Sequence, residues 1–376
     1  MQPLTGIRVL DFSTLLPGPL ATLLLAEAGA EVIKIERPDG GDEMRAYEPK
    51  LGADSVNFAL LNRGKRSVAI DLKASDALAR LAPLIETTDV IVEQFRPGVM
   101  ERLGLGYEAL AAINPRIIYC AITGYGQTGP KAQVAAHDVN FVSDTGMLSL
   151  TAGADGAPVL PPALIADVAG GTYPAVMNIL LALRARDATG CGCKLDIAMV
   201  ENTFTLLYWA LANGWSAGVW PRTGQELVTG GSPRYSIYRT ADARYLAAAP
   251  IEDRFWTRFC ALLDIEPRLR DDARDPAATR SAVADRVGRK TAAELRTLFD
   301  GEDVCCSIVC TVEEAVRDPH FAMRGVFDRK LIVGGKAINA LPLPVAERFR
   351  SEETDRPSPA LGEARHLLKQ CQSTKE

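Results

Sequence analysis

The chain has 376 residues and a formal net charge of −5, with 47% hydrophobic and 24% charged residues. This length suggests two domains, and the composition is that of a soluble globular protein. The acidic balance disfavours non-specific binding to nucleic acid, which requires a basic face against the phosphates. We therefore predict no nucleic-acid partner, while local basic sites remain available for a small phosphorylated ligand.

Cysteine usage and the chain ends bear on metal content and cellular location. The cysteines lack the paired spacing of a zinc site, so we expect reduced thiols, no metal and a cytoplasmic location. The apolar run 15–30 is interrupted by prolines and carries Glu27, which argues against a membrane span. The N-terminus shows no secretory leader and the C-terminus no peroxisomal signal. The eight cysteines are Cys120, Cys191, Cys193, Cys260, Cys305, Cys306, Cys310 and Cys371.

The first half of the chain alternates short β-branched runs with helical stretches. Strands alternating with helices predict a parallel, doubly wound α/β sheet. A nearly unbroken apolar stretch then predicts a buried helix over 172–184, and an aromatic-rich one predicts a helix over 202–217. In the first half the predicted strands are 7–12, 31–35, 67–70, 90–92 and 116–122, and the predicted helices are 19–28 and 75–86.

Beyond residue 225 the sequence becomes turn-rich, which indicates a smaller α+β domain. Strands are predicted over 235–240 and 244–249, helices over 253–263 and 291–298, and a further strand over 330–333. We predict a large domain over 1–185 that is completed by 325–376, a helical linker over 186–224, and a small domain over 225–324.

Residues 124–129 match the G-x-G-x-x-G pattern and follow a predicted strand. A dinucleotide site requires that pattern in the first strand-to-helix turn, with a helix opening there. The first turn of this chain, 13–19, lacks the three glycines, and no helical period begins after Gly129. The glycines are therefore predicted to shape a tight loop near another ligand, and no nicotinamide or flavin cofactor is expected.

Three arginines follow predicted strands: Arg37, Arg96 and Arg102. Ligands of doubly wound folds bind at the carboxyl ends of the strands, and guanidinium groups suit phosphates. Any one of these arginines taken alone is as readily a solvated surface residue. Three at strand ends of one sheet favour a site for a phosphorylated ligand.

His137, Asp167 and Glu252 each interrupt an apolar or glycine-rich stretch. An imidazole and two carboxylates, if brought together, can move a proton onto and off a carbon atom. Each also has a structural alternative: a packed histidine, a helix N-cap for Asp167, and a first-turn helix charge for Glu252. Asp167 lies in an apolar run before two glycines, where a carboxylate must be paired, hydrogen-bonded or raised in pKa.

These segments resemble the family III CoA-transferase superfamily and, within it, the α-methylacyl-CoA racemases. The likeness extends over nearly the whole chain and includes 4–10, 29–38, 96–99, 103–107 and 124–130. The resemblance implies a homodimer of two interlocked, ring-shaped chains. It also implies a Rossmann-like large domain that takes the CoA, and an active site against the small domain of the partner. Coenzyme A would be part of the substrate, with no other cofactor.

The resemblance also assigns positions that contact CoA. The nucleotide-like half of CoA carries phosphates, which gives the arginines a ligand. The matching positions are Arg37, Ile70, Leu72, Lys73, Gln94, Phe95, Arg96, Arg102, Ala136, Asp138, Asn140 and Phe141.

Two reactions occur in this superfamily. The transferases use an aspartate nucleophile that matches Asp167 and pass through covalent thioester intermediates. They generally lack the histidine, often carry Asn at the position of Glu252, and often carry Gln at position 143, which is Ser143 here. The racemases match this chain at His137, Asp167 and Glu252.

The sequence therefore predicts racemisation of a 2-methyl-branched acyl-CoA through an enolate. His137, oriented by Glu252, would act on one face of the substrate and Asp167 on the other, with a backbone N–H near Asp138 stabilising the enolate oxygen. The alternative is CoA transfer to a carboxylic acid with Asp167 as nucleophile, and a further one is a CoA-binding protein without turnover. The acyl chain is left open.

Overall fold

A computed structural model describes residues 2–153 and 155–370. Cys371, one of the cysteines expected to be reduced, lies outside the described residues. The chain divides into two compact units. The first takes its described residues from Met1–Thr145, Pro161–Leu206 and Pro319–Glu376, and the second from Gly146–Leu160 and Leu207–Asp318.

The strands belong to one large and three small sheets. In chain order they are β1 (Arg8–Asp11), β2 (Glu31–Glu36), β3 (Lys50–Leu51), β4 (Asp54–Ser55), β5 (Arg66–Ala69), β6 (Val90–Glu93), β7 (Ile118–Thr123), β8 (Cys193–Ala198), β9 (Ser236–Arg239), β10 (Tyr245–Ala248), β11 (Cys306–Ile308), β12 (Lys330–Val333) and β13 (Lys336–Asn339).

Helices fill the connections between these strands. In chain order they are α1 (Pro17–Glu27), α2 (Val56–Asn62), α3 (Ala77–Ile85), α4 (Val99–Arg102), α5 (Tyr107–Ile113), α6 (Asp138–Asp144), α7 (Tyr173–Thr189), α8 (Met199–Thr203), α9 (Tyr208–Ala217), α10 (Asp253–Leu262), α11 (Pro276–Gly288), α12 (Ala292–Phe299), α13 (Val312–Val316), α14 (Pro319–Met323) and α15 (His366–Gln370).

The large sheet has six strands in the order β5-β2-β1-β6-β7-β8, and all of its pairs are parallel. Counted along the chain, this is the 3-2-1-4-5-6 order of a doubly wound Rossmann fold. The order reverses between β1 and β6, so the connections after these two strands leave the sheet on opposite faces. The mixed α/β architecture with a large parallel sheet is confirmed, and the reversal predicts a ligand crevice at the carboxyl ends of β1 and β6.

The strands of this sheet differ in how clearly the sequence pattern predicts them. The central strands β1, β6 and β7 are mostly apolar and β7 is buried at every position, as expected for a sheet covered on both faces. The edge strand β8 was not predicted. Its sequence alternates, with a half-buried or exposed residue at each of its first four positions, because one side of an edge strand meets solvent.

The helix predicted over 172–184 is present as α7, but it is not buried all round. Met177 and Leu181 on α7 are 56% and 60% exposed. The helical stretch Ala166–Thr189 is long and apolar enough to cross a membrane by length and composition alone, and 44% of its apolar window is buried within the chain. A core helix of a soluble protein satisfies the same criterion. The helix therefore differs from the prediction in having an exposed apolar face, which includes Met177 and Leu181.

The second unit is built on the three-stranded antiparallel sheet β11-β10-β9. One face of this sheet packs with α10 and α11 through a core that includes Tyr238, Leu246 and Phe259. The unit boundaries lie elsewhere than the predicted domain boundaries at 185, 225 and 324. Residues 186–206 belong to the first unit, whereas 146–160 and 207–224 belong to the second.

A buried ion cluster lies at the carboxyl end of β1. Lys34 Nζ lies 2.9 Å from Asp42 Oδ2, and Lys65 Nζ lies 3.0 Å from Asp11 Oδ2, with all four side chains fully buried. Lys34 Nζ also donates to the Ser13 carbonyl oxygen at 2.7 Å. The cluster therefore fixes both the end of β1 and the backbone that follows it.

Replacing one cation of this cluster is expected to destabilise the fold. Lys65→Met leaves Asp11 buried with one fewer positive partner, and such changes cost about 3–5 kcal/mol. Urea unfolding measures the loss. The matched control is Lys50→Met at an exposed lysine on β3, which should change the free energy of unfolding by no more than about 0.5 kcal/mol. Equal effects of the two variants would contradict a special role for the cluster.

Candidate active site

A cleft of about 370 Å³ opens in the first unit at the carboxyl ends of β1, β6 and β7. Its position agrees with the crevice predicted from the reversal of strand order. The lining comprises the turn after β1 (15–17), the loop after β6 (94–97), the end of β7 and its loop (122–125), Ala132 and the segment 134–137, and Asn140, Phe141, Asp167 and Met199.

The turn after β1 is held in an unusual backbone conformation. Leu15 has a φ of 61°, in the left-handed region that non-glycine residues rarely adopt. Its N–H donates to Asp42 Oδ1 at 3.1 Å, and the Gly18 N–H donates to Gln94 Oε1 at 3.0 Å. Asp42 of the buried ion cluster and Gln94 of the loop after β6 therefore position this wall of the cleft together.

His137 occupies the N-cap position of α6, with an extended backbone. Its backbone N–H donates to the Asn140 side-chain oxygen at 3.0 Å, which fixes the start of the helix. The imidazole itself is exposed and lines the cleft. His137 is thus not the packed structural histidine of the alternative interpretation.

Asp167 lies in the first turn of a π-helical segment, Ala166–Thr172, that leads into α7. Such widened turns are rare and occur frequently at functional sites. The Asp167 N–H donates to Asp138 Oδ1 at 3.0 Å, so the buried carboxylate of Asp138 caps the segment. Asp167 itself is half-buried, and its side chain faces the same cleft as His137.

Two glycines let this segment pack closely against α8. A Cβ at Gly170 would overlap the Met199 carbonyl oxygen and crowd the Thr203 side chain. The Asn202 side-chain amide donates to the Gly170 carbonyl oxygen at 2.9 Å. The glycine pair after Asp167 is therefore explained by close backbone packing.

The environment of Asp167 alters its acidity. Burial and the neighbouring Asp138 charge raise the pKa of this carboxyl, His137 acts in the opposite direction, and the result is a pKa of about 6. Both protonation states are then accessible near neutral pH, which is the condition for a group that gives and takes a proton. His137 and Asp167 thus form an interacting pair in one cleft.

Glu252 belongs to the second unit, where it holds the N-cap position of α10. Its carbonyl oxygen accepts the Trp256 N–H at 2.9 Å, and its side chain is exposed. The pairing of Glu252 with His137 stays a prediction.

The residues predicted to contact CoA separate into two groups. Gln94, Phe95, Arg96, Ala136, Asn140 and Phe141 line the cleft together with the predicted catalytic pair. The others lie outside its lining. Ile70 and Leu72 pack into the core of the first unit, Lys73 and Arg102 are exposed, Asp138 is buried beneath Asp167, and the exposed Arg37 pairs with Glu43 at 3.1 Å.

The sequence-based interpretation missed the wall formed by Leu15, Leu16 and Pro17, as well as Val134 and Met199. The proline-glycine-proline run after β1 was an available signal for the first of these, since it marks a shaped turn at a strand end. Of the loop 124–129, Gly124 and Tyr125 line the cleft, and no helix opens in the loop. Gly126 and Gly129 there have φ values of 83° and 90°, which require glycine.

Arg96 is the exposed cation of this lining. Within residues 2–153 and 155–370, no carboxylate pairs with it. An unpaired guanidinium at the rim of a cleft is available to an anionic ligand, and its geometry matches phosphate as well as carboxylate.

The comparison with protein families gives the site its context. The model of CoA-transferase family III matches residues 4–365.

The chain belongs to CoA-transferase family III.

Relatives within the family carry out both reactions considered above. Alpha-methylacyl-CoA racemase of Mus musculus is 36% identical over 96% of this chain and 91% of its own length. Succinate--glutarate CoA-transferase of Agrobacterium fabrum is 33% identical over 96% of this chain and 93% of its own. A CAIB/BAIF family protein from Brucella suis has a similar structure, with a TM-score of 0.84 and 28% identity over 98% of both chains. Family III membership is therefore confirmed, and the chain is an enzyme of the racemase or transferase kind.

Asp167→Asn is expected to stabilise the fold as it abolishes activity. Because the folded-state pKa of about 6 exceeds the ordinary 3.8, the wild-type carboxyl stabilises the fold while protonated. That contribution is lost as the pH rises from 3.8 through about 6. The variant should therefore be more stable by about 3 kcal/mol above pH 7 and no more stable at pH 3. Denaturant unfolding against pH measures this, with the exposed Asp39→Asn as control. A gain of equal size at both pH values would contradict the burial of this carboxyl.

Arg96→Met is expected to weaken the binding of CoA. Loss of one hydrogen-bonded charge interaction costs about 1.5–3 kcal/mol, which corresponds to a Kd for free CoA roughly 10- to 100-fold higher. Isothermal titration calorimetry measures it. Arg116→Met is the matched control. Arg116 is an exposed arginine just before the amino end of β7, whereas the cleft lies at the carboxyl ends of the strands. An unchanged Kd for Arg96→Met would remove this arginine from the CoA site.

Proposed function

We propose that the protein racemises 2-methyl-branched acyl-CoA thioesters by moving the α-proton. The observation that carries this proposal is the presence of His137 and Asp167 in one cleft of a family III chain, with the Asp167 pKa raised to about 6. A base and an acid that exchange roles need proton affinities near the working pH.

The chemistry follows from the thioester, which makes the α-hydrogen weakly acidic. One member of the pair removes this hydrogen, an enolate forms, and the other member returns a proton to the opposite face with inverted configuration. For the other stereoisomer the two residues exchange roles. The oxidation state of the substrate does not change, so the reaction requires no redox cofactor.

Neither residue accounts for catalysis alone, because a general acid or base contributes about 10²–10⁴-fold. The enolate oxygen needs a hydrogen-bond donor as well. Helix α6 begins at Asp138, directly after His137, and the first N–H groups of a helix have no partner within it. We assign the backbone N–H of Asp138 to the enolate oxygen.

A homodimer is part of this proposal. Apolar residues that one chain leaves exposed support it: Met177 and Leu181 on α7, and Tyr208 and Trp215 on α9, the last two 73% and 75% exposed. A second copy of the chain would cover such faces, since large exposed apolar patches mark interaction surfaces. Glu252 would then reach His137 in a site shared by the two chains. We expect this dimer in the cytoplasm.

CoA transfer is the second candidate, and the side chain of Asp167 in the cleft favours it equally. The same carboxylate that accepts a proton can attack the thioester carbonyl, expel CoA and form an acyl anhydride with the enzyme. The transferase relative at 33% identity keeps this reaction in consideration. His137 distinguishes the candidates, because the transferase route does not need an imidazole there.

Deuterium incorporation tests the proposal. Purified protein is incubated with a 2-methylacyl-CoA in D₂O, with and without an added carboxylic acid, and the α-position is followed by NMR or mass. We expect label at the α-carbon without any acceptor. His137→Ala and Asp167→Ala should each remove at least 99% of the exchange, since each residue would contribute about 10²-fold or more.

His366→Ala serves as the matched control, because His366 is an exposed histidine of the first unit outside the cleft lining. This variant should exchange at the wild-type rate. CoA transfer to the added acid without α-labelling would replace the racemase proposal by the transferase one. Nearly full exchange by either cleft variant would refute the assignment of that residue.

A further inference from the structure

The cleft wall formed by residues 131–136 leads directly into His137, and it has little packing of its own. None of its six side chains is buried, and Val134 is 51% exposed. Ala132, Val134, Ala135 and Ala136 nevertheless line the cleft. A segment without a buried side chain is positioned by its polar bonds, so those bonds decide where this wall lies.

One such bond leads to Asp144, the last residue of α6. Lys131 Nζ donates to Asp144 Oδ2 at 2.8 Å, and Tyr125 Oη donates to the same oxygen at 2.8 Å. Lys131 Nζ also lies 5.5 Å from the centre of the Tyr125 ring. We call Tyr125, Lys131 and Asp144 the Asp144 cluster. It connects both ends of the 125–131 loop to the end of α6.

The Asp144 cluster is continuous with the cleft lining. The Tyr125 and Phe141 rings both line the cleft, and they pack edge to face with centroids 5.4 Å apart. Phe141 and Val142 are buried, which holds α6 in place independently of Asp144. Helix α6 is thus a fixed support, and the Asp144 carboxylate is the group through which this support holds the wall.

The middle of the wall has a second attachment. The Gln133 side-chain amide donates to the Pro97 carbonyl oxygen at 3.0 Å, in the loop after β6. This bond runs from the wall to the loop that carries Arg96. The two attachments together set the distance between the wall and the loop, and therefore the width of the channel between them.

We propose that Asp144 is a positioning residue that sets the affinity of the cleft for acyl-CoA by fixing Tyr125 and the wall 131–136. This inference rests on the proposed acyl-CoA chemistry of the cleft. Asp144 does not line the cleft and takes no part in proton transfer. Its removal frees the wall while α6, and with it the N-cap at His137, remains packed.

The proposal predicts a change in binding rather than in turnover. Asp144→Ala should raise the Kd for acetyl-CoA and the KM for 2-methylacyl-CoA five- to tenfold, with kcat changed by less than twofold. Tyr125→Phe retains the ring and loses the hydroxyl while Lys131 still binds Asp144, so it should reproduce part of the increase in Kd. The double variant should be no weaker than Asp144→Ala alone, because that change already removes the tyrosine bond. Asp144→Asn keeps an acceptor for the tyrosine and should recover part of the affinity.

The matched control is Glu31→Ala. Glu31 is also a partly exposed carboxylate bound by two donors, Arg8 and Arg66. It lies at the amino end of β2, whereas the cleft lies at the carboxyl ends of the strands. It should leave Kd and kcat unchanged. The proposal is overturned if Asp144→Ala leaves the Kd unchanged, if it lowers kcat alone, or if the two single effects multiply in the double variant.

Calorimetry with acetyl-CoA separates this proposal from the proposed reaction. If the wild-type protein binds acetyl-CoA but incorporates no deuterium into 2-methylacyl-CoA, the proposed racemisation is refuted. The series of Kd values for acetyl-CoA still decides the role of Asp144. If the wild-type protein does not bind acetyl-CoA, the role of Asp144 in acyl-CoA affinity is refuted as well.

Discussion

The buried pairing of Asp11 with Lys65 and of Lys34 with Asp42 is the interaction on which the cleft depends. Burial opposes ionisation of Asp11, but the charges of Lys65 and Lys34 outweigh it and hold the pKa of this carboxyl well below its usual range. Taking ions out of water is costly, and apolar residues of equal size are often no less stable in such positions. What an apolar cluster would lack is directional bonding. Lys34 and Asp42 bond to the backbone of Ser13 and Leu15, which forms one side of the cleft.

The other side of the cleft is organised by close backbone packing rather than by charge. The glycines after Asp167 let the π-helical segment meet α8 without side chains between them. This packing holds Asp167 half-buried, and the half-burial raises its pKa. A change at Gly170 would therefore affect the acidity of Asp167 without touching it. The absence of a side chain at Gly170 thus allows the packing that buries Asp167 and raises its pKa.

The sequence predicted those features that depend on local pattern. The apolar runs of β1, β2, β6 and β7 gave the parallel sheet, and Arg96, His137 and Asp167 were singled out for their residue type and position. The edge strand β8 was not predicted, because its alternation of polar and apolar residues resembles the sequence of a loop when no partner strand is known. The left-handed Leu15 could not be foreseen, since its conformation depends on Asp42, which lies 27 residues away in the chain. Glu252 lies in the other unit, and its pairing with His137 stays a prediction that rests on the family resemblance rather than on a local pattern.

His137 and Asp167, the two groups proposed to transfer protons, differ in kind, and the surroundings of Asp167 alter its acidity. A free carboxylic acid loses its proton near pH 4, whereas imidazoles titrate between pH 5 and 8. Burial of Asp167 beside Asp138 moves its pKa to about 6, into the imidazole range. The racemisation proposed above requires each residue both to give and to take a proton, which a pKa near the working pH allows. The buried carboxylate of Asp138 therefore has two effects: it accepts the Asp167 N–H that fixes the segment, and its charge helps to raise the pKa of Asp167.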